Sequence, residues 1–314
     1  MPASDKTHRV CILLGLYNGA SDLGEQLDSL VAQTHPHWDL IVSDDGSGDE
    51  GPAMVQRFAA RMAPGHRVDL VDGPRQGFAA NFLSLIARAP EDAEWLALSD
   101  QDDVWLPERL ARGITALKAL PPDQPALYCS ATLITDARLE NRRPSARFQR
   151  PPGFRNALVQ NIAAGNTILL NRAAAQLARA QAARVSGVPS HDWWLYQLIT
   201  GCGGTVIRDP EPTLLYRQHG ENLVGANDGW RARLRRISML LGGQFADWNS
   251  ANIAALHQSR AHLTPQNRDL LDGFAALRGQ PIAARLRGLA ALHLYRQGRL
   301  GQIALWLALV LRRL

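Results

Sequence analysis

The sequence contains little that could cross-link the chain, bind zinc or span a membrane. Its 3 cysteines, Cys11, Cys129 and Cys202, are far apart and form no CxxC pair, which argues against a zinc site or disulfide framework and favours a reducing compartment. Residues 1–10 lack the apolar run of a signal peptide. The longest apolar stretch, residues 303–311, is shorter than the roughly 20 residues of a membrane span. We therefore expect a cytoplasmic protein.

Lysine is also scarce, because Lys6 and Lys118 are the only two and nearly every basic residue is arginine. The net charge of +5 is concentrated at one end of the chain. Residues 226–314 contain 13 arginines and 4 acidic residues, a net charge of +9, which leaves −4 for residues 1–225. A basic segment of this kind favours an anionic partner, either a membrane surface or a nucleic acid.

Short apolar runs alternate with segments of helical periodicity in the 314-residue chain. Strands are predicted for residues 10–16, 38–42, 68–71, 95–98, 126–134 and 166–170. Helices are predicted between the first of these strands, and the alternation predicts an α/β fold with a mostly parallel sheet flanked by helices.

Polar side chains follow three of the predicted strands. Tyr17 and Asn18 end the first strand, Asp44 and Asp45 end the second, and an aspartate-rich run at residues 100–103 ends the fourth. In open α/β sheets, ligands bind beyond the carboxyl ends of the strands, so we expect these clusters to meet at one edge. The first two clusters are equally typical of ordinary turns.

The densest cluster is the sequence SDQDDVW, where Asp100, Asp102 and Asp103 place like charges close together. Close carboxylates repel one another and are costly to bury without a partner. A divalent cation such as Mg²⁺ or Mn²⁺ relieves both problems, and Mg²⁺ is typically held by one or two carboxylates and substrate phosphates. The alternative is a helix cap before Pro107, a role that suits Asp103.

Seven motifs, in this order along the chain, resemble those of family 2 inverting glycosyltransferases with the GT-A fold. They are GLYNG, SDDGSGD, QGFAANF, SDQDDVW, AAGNTILLNR, HDWWLYQL and YRQHGENLVG. The similarity extends over residues 8–225 and is strongest to the rhamnosyltransferase-like branch, which builds bacterial surface polysaccharides. Two positions depart from the family pattern: Gly15 stands where Ala or Thr is more common, and Arg109 where Lys is common.

The resemblance implies both a division of the chain and a reaction. Residues 1–225 would form a GT-A catalytic domain, with the nucleotide-sugar part at residues 1–120 and the acceptor part at residues 121–225. Residues 226–314 would form a basic amphipathic helical extension. The enzyme would move a sugar, with dTDP-rhamnose as the donor suggested by the branch, to a hydroxyl of a glycan or lipid-linked acceptor.

The resemblance also implies roles for individual residues. The nucleotide-sugar would be bound by Tyr17, Asn18, Asp44, Asp45, Asn81, Asp100 and Arg217. Asp102 and His219 would hold Mg²⁺ or Mn²⁺, and Asp192 would be the general base that deprotonates the acceptor. Trp193 and Trp194 would contact the acceptor. A helix-capping role for Asp192, a structural role for His219 and core positions for the tryptophans are the alternatives.

The arginine-rich extension has two interpretations. Residues 230–240, 282–295 and 303–314 mix arginine with apolar residues at helical spacing, which suits an anionic membrane surface at the inner face of the cytoplasmic membrane. Alternatively, the same helices pack on the catalytic domain and their arginines face solvent.

Two other functions are alternatives to sugar transfer. A metal-dependent nucleotidyltransferase is expected to have a basic glycine-rich phosphate loop after its first strand, and the segment GLYNGASDL contains no basic residue. A non-catalytic binder of anionic surfaces leaves the acidic strand-end clusters unexplained, and we expect no nucleic-acid partner.

Overall fold

The structure is a computed structural model that describes residues 9–218 and 242–314. The predicted metal ligand His219 and the predicted amphipathic segment at residues 230–240 therefore lie outside the described residues. In the two described ranges, no helix has both the length and the apolar character needed to cross a bilayer.

A mixed β-sheet forms the centre of the described chain. Its strands are β1 (Val10–Leu16), β2 (Trp38–Asp44), β3 (Val68–Asp72), β4 (Trp95–Ser99), β5 (Val104–Trp105), β6 (Ala126–Thr135), β7 (Arg143–Pro144), β8 (Leu169–Asn171) and β9 (Thr205–Arg217). They lie in the order β3-β2-β1-β4-β8-β6-β9-β5, with β7 beside β6. The first four in this order are parallel, whereas β8 is antiparallel to both of its neighbours.

Helices cover both faces of this sheet. They are α1 (Leu23–Val31), α2 (Gly51–Arg61), α3 (Phe78–Arg88), α4 (Arg109–Lys118), α5 (Phe154–Ala157), α6 (Arg172–Ala182), α7 (His191–Gly201), α8 (Gln244–Gln258), α9 (Pro265–Leu277), α10 (Ile282–Leu292) and α11 (Arg299–Val310). The predicted α/β architecture with a helical carboxyl-terminal region is confirmed, although the reversal at β8 was not predicted.

The side-chain alternation of β1 explains why the sheet is covered on both faces. Cys11 and Leu13 point into the core formed with α3, α6 and α7, whereas Ile12 and Leu14 point into the core formed with α1, α2 and α4. Successive side chains of a strand face opposite sides, so a strand that is apolar at every position needs cover on both.

The helices α8 to α11 pack on the α/β part of the chain through a third core. In this core Phe154 and Leu158, from α5 and the residue after it, meet Leu271 and Phe274 of α9. At the start of α9, Asn267 Nδ2 donates to the carbonyl oxygens of two residues at the end of α7, at 3.1 and 3.0 Å. The alternative in which the extension packs on the rest of the chain is therefore observed for these helices, whereas a domain boundary at residue 225 stays a prediction.

Two leucine-to-alanine variants in this helical region test the importance of the third core. Leu271 is fully buried, so Leu271→Ala should cost about 2–5 kcal/mol of unfolding free energy through lost burial and a cavity. Leu300 is 73% exposed, so Leu300→Ala should change stability by less than about 0.5 kcal/mol. Urea unfolding followed by circular dichroism measures both, and equal losses would contradict the packing described.

Candidate active site

The three polar clusters lie at one edge of the sheet. Leu16 of β1 is paired with Asp44 of β2, and Leu14 of β1 is paired with Ser99 of β4. Because these strands are parallel and in register, the residues that follow them leave the sheet together. This edge, formed by residues 17–19, 45–48 and 100–103, is called the rim below.

Gln101 connects the first loop of the rim to the aspartate-rich loop. Its Oε1 accepts from the backbone N of Tyr17 at 2.7 Å, and its Nε2 donates to the backbone O of Tyr17 at 3.0 Å. A Cβ at Gly19 would lie 2.3 Å from the Gln101 side chain, so a larger residue there would displace the Gln101 amide from Tyr17. The Tyr17 ring itself is 58% exposed and offers a face to a ligand. The sequence did not identify Gln101 as a site residue, because the charged residues of this run indicated the site and the glutamine side chain is neutral.

Asn18 connects the first loop to the second. It adopts a left-handed backbone conformation with φ of 48°. Its backbone N donates to Ser47 Oγ at 2.9 Å, and its Oδ1 accepts from the backbone N of Gly48 at 2.8 Å. Asp44 Oδ1 accepts from the backbone N of Ser47 at 3.0 Å. This hydrogen bond is typical of an ordinary turn, the alternative role that the sequence left open for Asp44. Asn18 and Asp44 thus shape the loops in this structure.

Asp45 and Asn81 are buried supports of the loop that precedes α3. The carboxylate of Asp45 accepts from the backbone N of Arg75 at 2.6 Å and of Gly77 at 2.8 Å. Asn81 Nδ2 donates to the backbone O of Ser43 at 3.0 Å, and Asn81 Oδ1 accepts from Ser43 Oγ at 2.6 Å. These polar groups have partners inside the protein, so the two residues define the shape of the rim.

The aspartates after β4 occupy a poorly solvated place. Burial, followed by the charges of Asp102 and Asp192, raises the pKa of Asp100 to about 7, whereas the charge of Arg109 acts in the opposite direction. Burial, followed by the charges of Asp100 and Asp102, also raises the pKa of Asp103. Asp103 Oδ2 accepts from Asn166 Nδ2 at 2.6 Å, whereas Asp103 Oδ1 has no hydrogen-bond partner among the described residues. A positive charge placed here would be stabilised.

Arg109 is a buried cation beneath these aspartates. Its Nη2 donates to the backbone O of Leu98 at 3.1 Å and to the backbone O of Asn166, and its guanidinium lies 3.5 Å from the centre of the Trp105 ring. Burial lowers the pKa of Arg109 to about 9, while Tyr128, Asp103 and Asp100 oppose this shift. A planar guanidinium can bond two carbonyls and stack on an indole, which explains why arginine serves well at this position.

Arg217, predicted to contact the donor, is instead engaged within the protein. Its Nε donates to the backbone O of Asp102 at 3.0 Å and lies 3.2 Å from Asp22 Oδ1. Its Nη1 donates to the backbone O of Ala137 at 2.5 Å, and its Nη2 pairs with Glu25. The side chain is buried by these contacts and holds the main chain at Asp102, and a contact with the donor stays a prediction.

Asp192, the predicted general base, lies beside the aspartate cluster at the start of α7. Its charge contributes to the raised pKa of Asp100, so the two carboxylates are close. Asp192 Oδ2 accepts from the backbone N of Gly165 at 3.1 Å. Asp192 Oδ1 accepts from the backbone N of Trp193 at 2.6 Å and from Ser190 Oγ. The half-buried carboxylate therefore has a fixed orientation as well as access to solvent.

His191 is a buried residue of the site that the sequence did not single out. Its ring stacks on Phe82 with 4.0 Å between centres, and a Cβ at Gly165 would lie 2.8 Å from its Nε2. Neither ring nitrogen has a hydrogen-bond partner within residues 9–218 and 242–314. Burial lowers the pKa of His191 to about 4, so the ring is neutral at pH 7. A Cβ at Gly15 would lie 3.0 Å from the Phe82 ring, so a larger residue at this position would crowd the ring.

The tryptophans predicted to contact the acceptor lie in the protein interior. Trp194 is fully buried in the core beneath α7. Trp193 Nε1 donates to the backbone O of Ala157 at 2.6 Å, and its ring stacks against Phe245, 6.3 Å away. Adjacent residues of a helix point in different directions, and here both directions lead into packed regions. This burial favours the alternative of core positions for both side chains, and the acceptor contact stays a prediction.

The residues of the rim fit a divalent cation that takes part of its ligands from a substrate. The described part of the chain contains no group of three or more His, Cys, Asp or Glu side chains arranged for a metal ion. Mg²⁺ needs fewer protein ligands, since one or two carboxylates, phosphate oxygens and water complete its shell. Asp100 and Asp102 supply such carboxylates where desolvation and like charge favour a cation.

Comparison with known proteins identifies the family. A family model described as "Glycosyl transferase family 2" matches residues 11–175, which is more than half of the chain. The chain belongs to this family. A dTDP-rhamnosyl transferase of Shigella flexneri, RfbG, is 26% identical over 239 residues, which make up 72% of this chain and 78% of the relative. The uncharacterized Mycobacterium tuberculosis protein Rv1520 is 24% identical over 213 residues, 66% of this chain and 58% of that protein.

Solved structures of glycosyltransferases share the fold of this chain. The mannosyltransferase PcManGT of Pyrobaculum calidifontis, in complex with GDP-Man and Mn²⁺, has a TM-score of 0.50 at 22% identity and aligns over 99% of this chain and 88% of its own. Residues 1–349 of S. aureus TarS, in complex with UDP-GlcNAc, have a TM-score of 0.56 at 13% identity over 97% and 89% of the two chains. The family 2 enzyme described here therefore has the GT-A fold.

The pKa of Asp100 predicts how the stability of the metal-free enzyme depends on pH. Because folding raises this pKa from an ordinary value of 3.8 to about 7, the folded state keeps a proton that the unfolded chain releases. Between pH 3.8 and about 7 the unfolded chain loses this proton while the folded chain keeps it, so the free energy of unfolding falls as pH rises. Above about pH 7 the folded state holds an ionised, desolvated carboxylate and the whole loss of stability is present. Asp100→Asn should raise the thermal midpoint in EDTA at pH 8 but leave it nearly unchanged at pH 4.

A matched control for this measurement is Asp123→Asn, which alters an exposed carboxylate before β6. The control should give no gain at either pH. An equal gain from Asp100→Asn at pH 4 and pH 8 would mean that the carboxylate is not desolvated as described.

Proposed function

We propose that this family 2 enzyme is an inverting transferase that moves a sugar from a nucleoside diphosphate to a hydroxyl group. The observation that supports it is the meeting, at one rim, of an exposed tyrosine ring, an aspartate cluster and a separate carboxylate. These are Tyr17, the run at residues 100–103 and Asp192, which come from three distant parts of the sequence. Each group suits a different part of a nucleotide-sugar reaction.

The nucleoside end of the donor would lie against the first two loops of the rim. The exposed ring of Tyr17 offers a stacking face, and Asn18, Asp44, Asp45 and Asn81 hold the loops that surround it. Stacking on aromatic rings and close backbone approach are common ways of holding a base. The family membership supports a nucleotide-sugar, while the 26% identity to a dTDP-rhamnosyl transferase supports dTDP-rhamnose as the donor to test first.

The diphosphate and sugar would lie at the aspartate cluster. Asp102 would hold Mg²⁺ or Mn²⁺, which when bound neutralises charge on the departing nucleoside diphosphate. Asp100, the next carboxylate in the cluster, would contact the ribose or the sugar of the donor. Arg217 fixes the main chain at Asp102, so that carboxylate is positioned before the donor arrives. His219, which follows close behind in the chain, is a further proposed ligand of the metal or the diphosphate.

Asp192 is the proposed general base. The acceptor hydroxyl would attack the anomeric carbon from the face opposite the leaving group, and its proton would move to the Asp192 carboxylate. The hydrogen bonds from Gly165, Ser190 and Trp193 keep this carboxylate oriented. The effect of its charge on Asp100 supports a proton acceptor near the region proposed for the donor sugar.

The proposed acceptor is a glycan or a lipid-linked glycan used in bacterial surface polysaccharide synthesis. The Shigella flexneri relative and the rhamnosyltransferase-like motifs support this assignment. A cytoplasmic location, at the inner face of the membrane when the acceptor is lipid-linked, is part of the same proposal. Nucleotidyl transfer and non-catalytic binding lose support because the chain belongs to a glycosyltransferase family.

Donor binding can be tested by thermal shift with a panel of nucleotide-sugars, in EDTA and in Mn²⁺. We expect one donor to raise the melting temperature of the wild type only in Mn²⁺, and Asp102→Ala to abolish that rise. Asp123→Ala, which removes an exposed carboxylate at the opposite edge of the sheet, is the matched control and should behave like the wild type. A metal-independent shift that survives in Asp102→Ala would overturn the metal assignment.

The base assignment can be tested separately with Asp192→Asn. This variant keeps the size of the side chain and should retain donor binding, whereas its transfer rate should fall by about 10²–10⁴-fold because proton removal is lost. The transfer rate is measured as the rate at which the nucleoside diphosphate is released. Transfer at the wild-type rate would show that another group removes the proton.

A further inference from the structure

Helix α11 is apolar on its outer as well as its inner side. Its inner side chains, which include Leu305 and Leu309, are buried in the third core. On the outer side Leu300 is 73% exposed and Ile303 is 63% exposed, and three further exposed apolar residues continue the row: Leu307, Val310 and Leu311. Spacings of three and four residues place these side chains on one face of the helix. This face is called the outer face of α11.

The chain segment that carries the outer face is basic. Residues 273–314 contain 7 arginines and no aspartate or glutamate. Arg299 precedes the outer face, Arg312 and Arg313 follow it, and all three are exposed. Arg287 of the neighbouring α10 is exposed as well. An apolar row bordered by cations, without acidic residues, complements a surface that combines hydrocarbon with negative charge.

The length of α11 suits a position in the plane of a membrane. Its 12 residues extend about 18 Å, well short of the roughly 30 Å of a hydrocarbon core. Its inner side is already packed on the protein, which leaves only the outer face for insertion. These properties favour shallow insertion at an interface.

Helix α11 is also firmly joined to the catalytic part of the chain. Before it, Gln297 Nε2 donates to the backbone O of Arg150 at 2.9 Å, and Gln297 Oε1 accepts from the backbone N of Arg150 at 2.9 Å. Asn156 Nδ2 donates to the backbone O of Tyr295 at 2.9 Å. A contact made by the outer face would therefore hold the catalytic part of the chain in a defined orientation.

We propose that the outer face of α11 docks the enzyme on an anionic lipid bilayer, with the apolar row at the acyl boundary and the arginines among the headgroups. The docking itself is independent of the sugar-transfer chemistry. It deepens the proposed function in one respect, because only a lipid-linked acceptor gives the enzyme a reason to be at that surface.

Flotation with vesicles tests this docking on the full chain. The wild type should float with phosphatidylcholine vesicles containing 25% phosphatidylglycerol, bind at least tenfold less to pure phosphatidylcholine, and dissociate as salt rises. The triple variant Leu300→Gln, Ile303→Gln, Leu307→Gln should bind the anionic vesicles at least tenfold less. A second variant, Arg299→Gln, Arg312→Gln, Arg313→Gln, should lose the preference for anionic lipid.

A matched control is Val31→Gln, which alters an exposed apolar residue of α1 and should bind vesicles like the wild type. Circular dichroism and thermal melting establish that each variant is folded. Wild-type protein that does not float, or a folded triple variant that floats fully, would overturn the proposal. Light scattering that shows a dimeric wild type and a monomeric triple variant would overturn the proposal, because the outer face of α11 would then contact a second copy of the chain.

The same variants separate this inference from the proposed sugar transfer. The triple variant should show the wild-type donor-induced thermal shift, since the three altered side chains are exposed residues of α11 and none belongs to the rim. If the triple variant loses vesicle binding but still binds the donor, the result supports docking independently of the sugar-transfer proposal. Vesicle binding by a protein that recognises no nucleotide-sugar would leave docking standing and remove the proposed function.

Discussion

The structure of the rim depends on the placement of several carboxylates where water is scarce. Asp103 is buried and Asp100 has a pKa raised to about 7, so the loop after β4 would be unfavourable without compensation. The protein provides that compensation from below, through the buried guanidinium of Arg109 and the amide of Asn166. Neutral residues in place of these carboxylates would give a more stable fold. The retention of the carboxylates is consistent with a site built to receive a cation, because a cation gains most where desolvation is already present.

Most polar residues of the rim hold its loops together. Gln101 pairs with the main chain of Tyr17, Asp45 accepts two backbone N–H groups before α3, and Arg217 fixes the main chain at Asp102. Such connections keep each loop in one geometry, which reduces the entropy lost when a substrate binds. The exposed ring of Tyr17 is left available to a ligand. A rigid frame with a few presented groups is the arrangement expected of a site that orients two substrates.

The carboxyl-terminal helices combine two properties that the sequence presents as alternatives. Their inner sides pack on α5 and the residues after it through the third core, and Asn267 of α9 bonds to the end of α7, as expected for an integral part of the fold. The outer face of α11 nevertheless remains apolar and exposed between arginines. A short helix can satisfy both demands because its apolar residues extend around more than one side.

The sequence by itself determined the α/β alternation, the strands that carry the rim and the family, because these follow from local periodicity and from motifs that stay in order. It also indicated that the clusters after β1, β2 and β4 would share an edge, since parallel strands end together. Only the tertiary structure decided which polar groups have partners within the protein, because those partners lie far away in sequence. Asn166 approaches Asp103, Glu25 approaches Arg217, and Trp194 turns into the core. Such contacts arise when strands and helices from distant segments pack, and no local pattern specifies them.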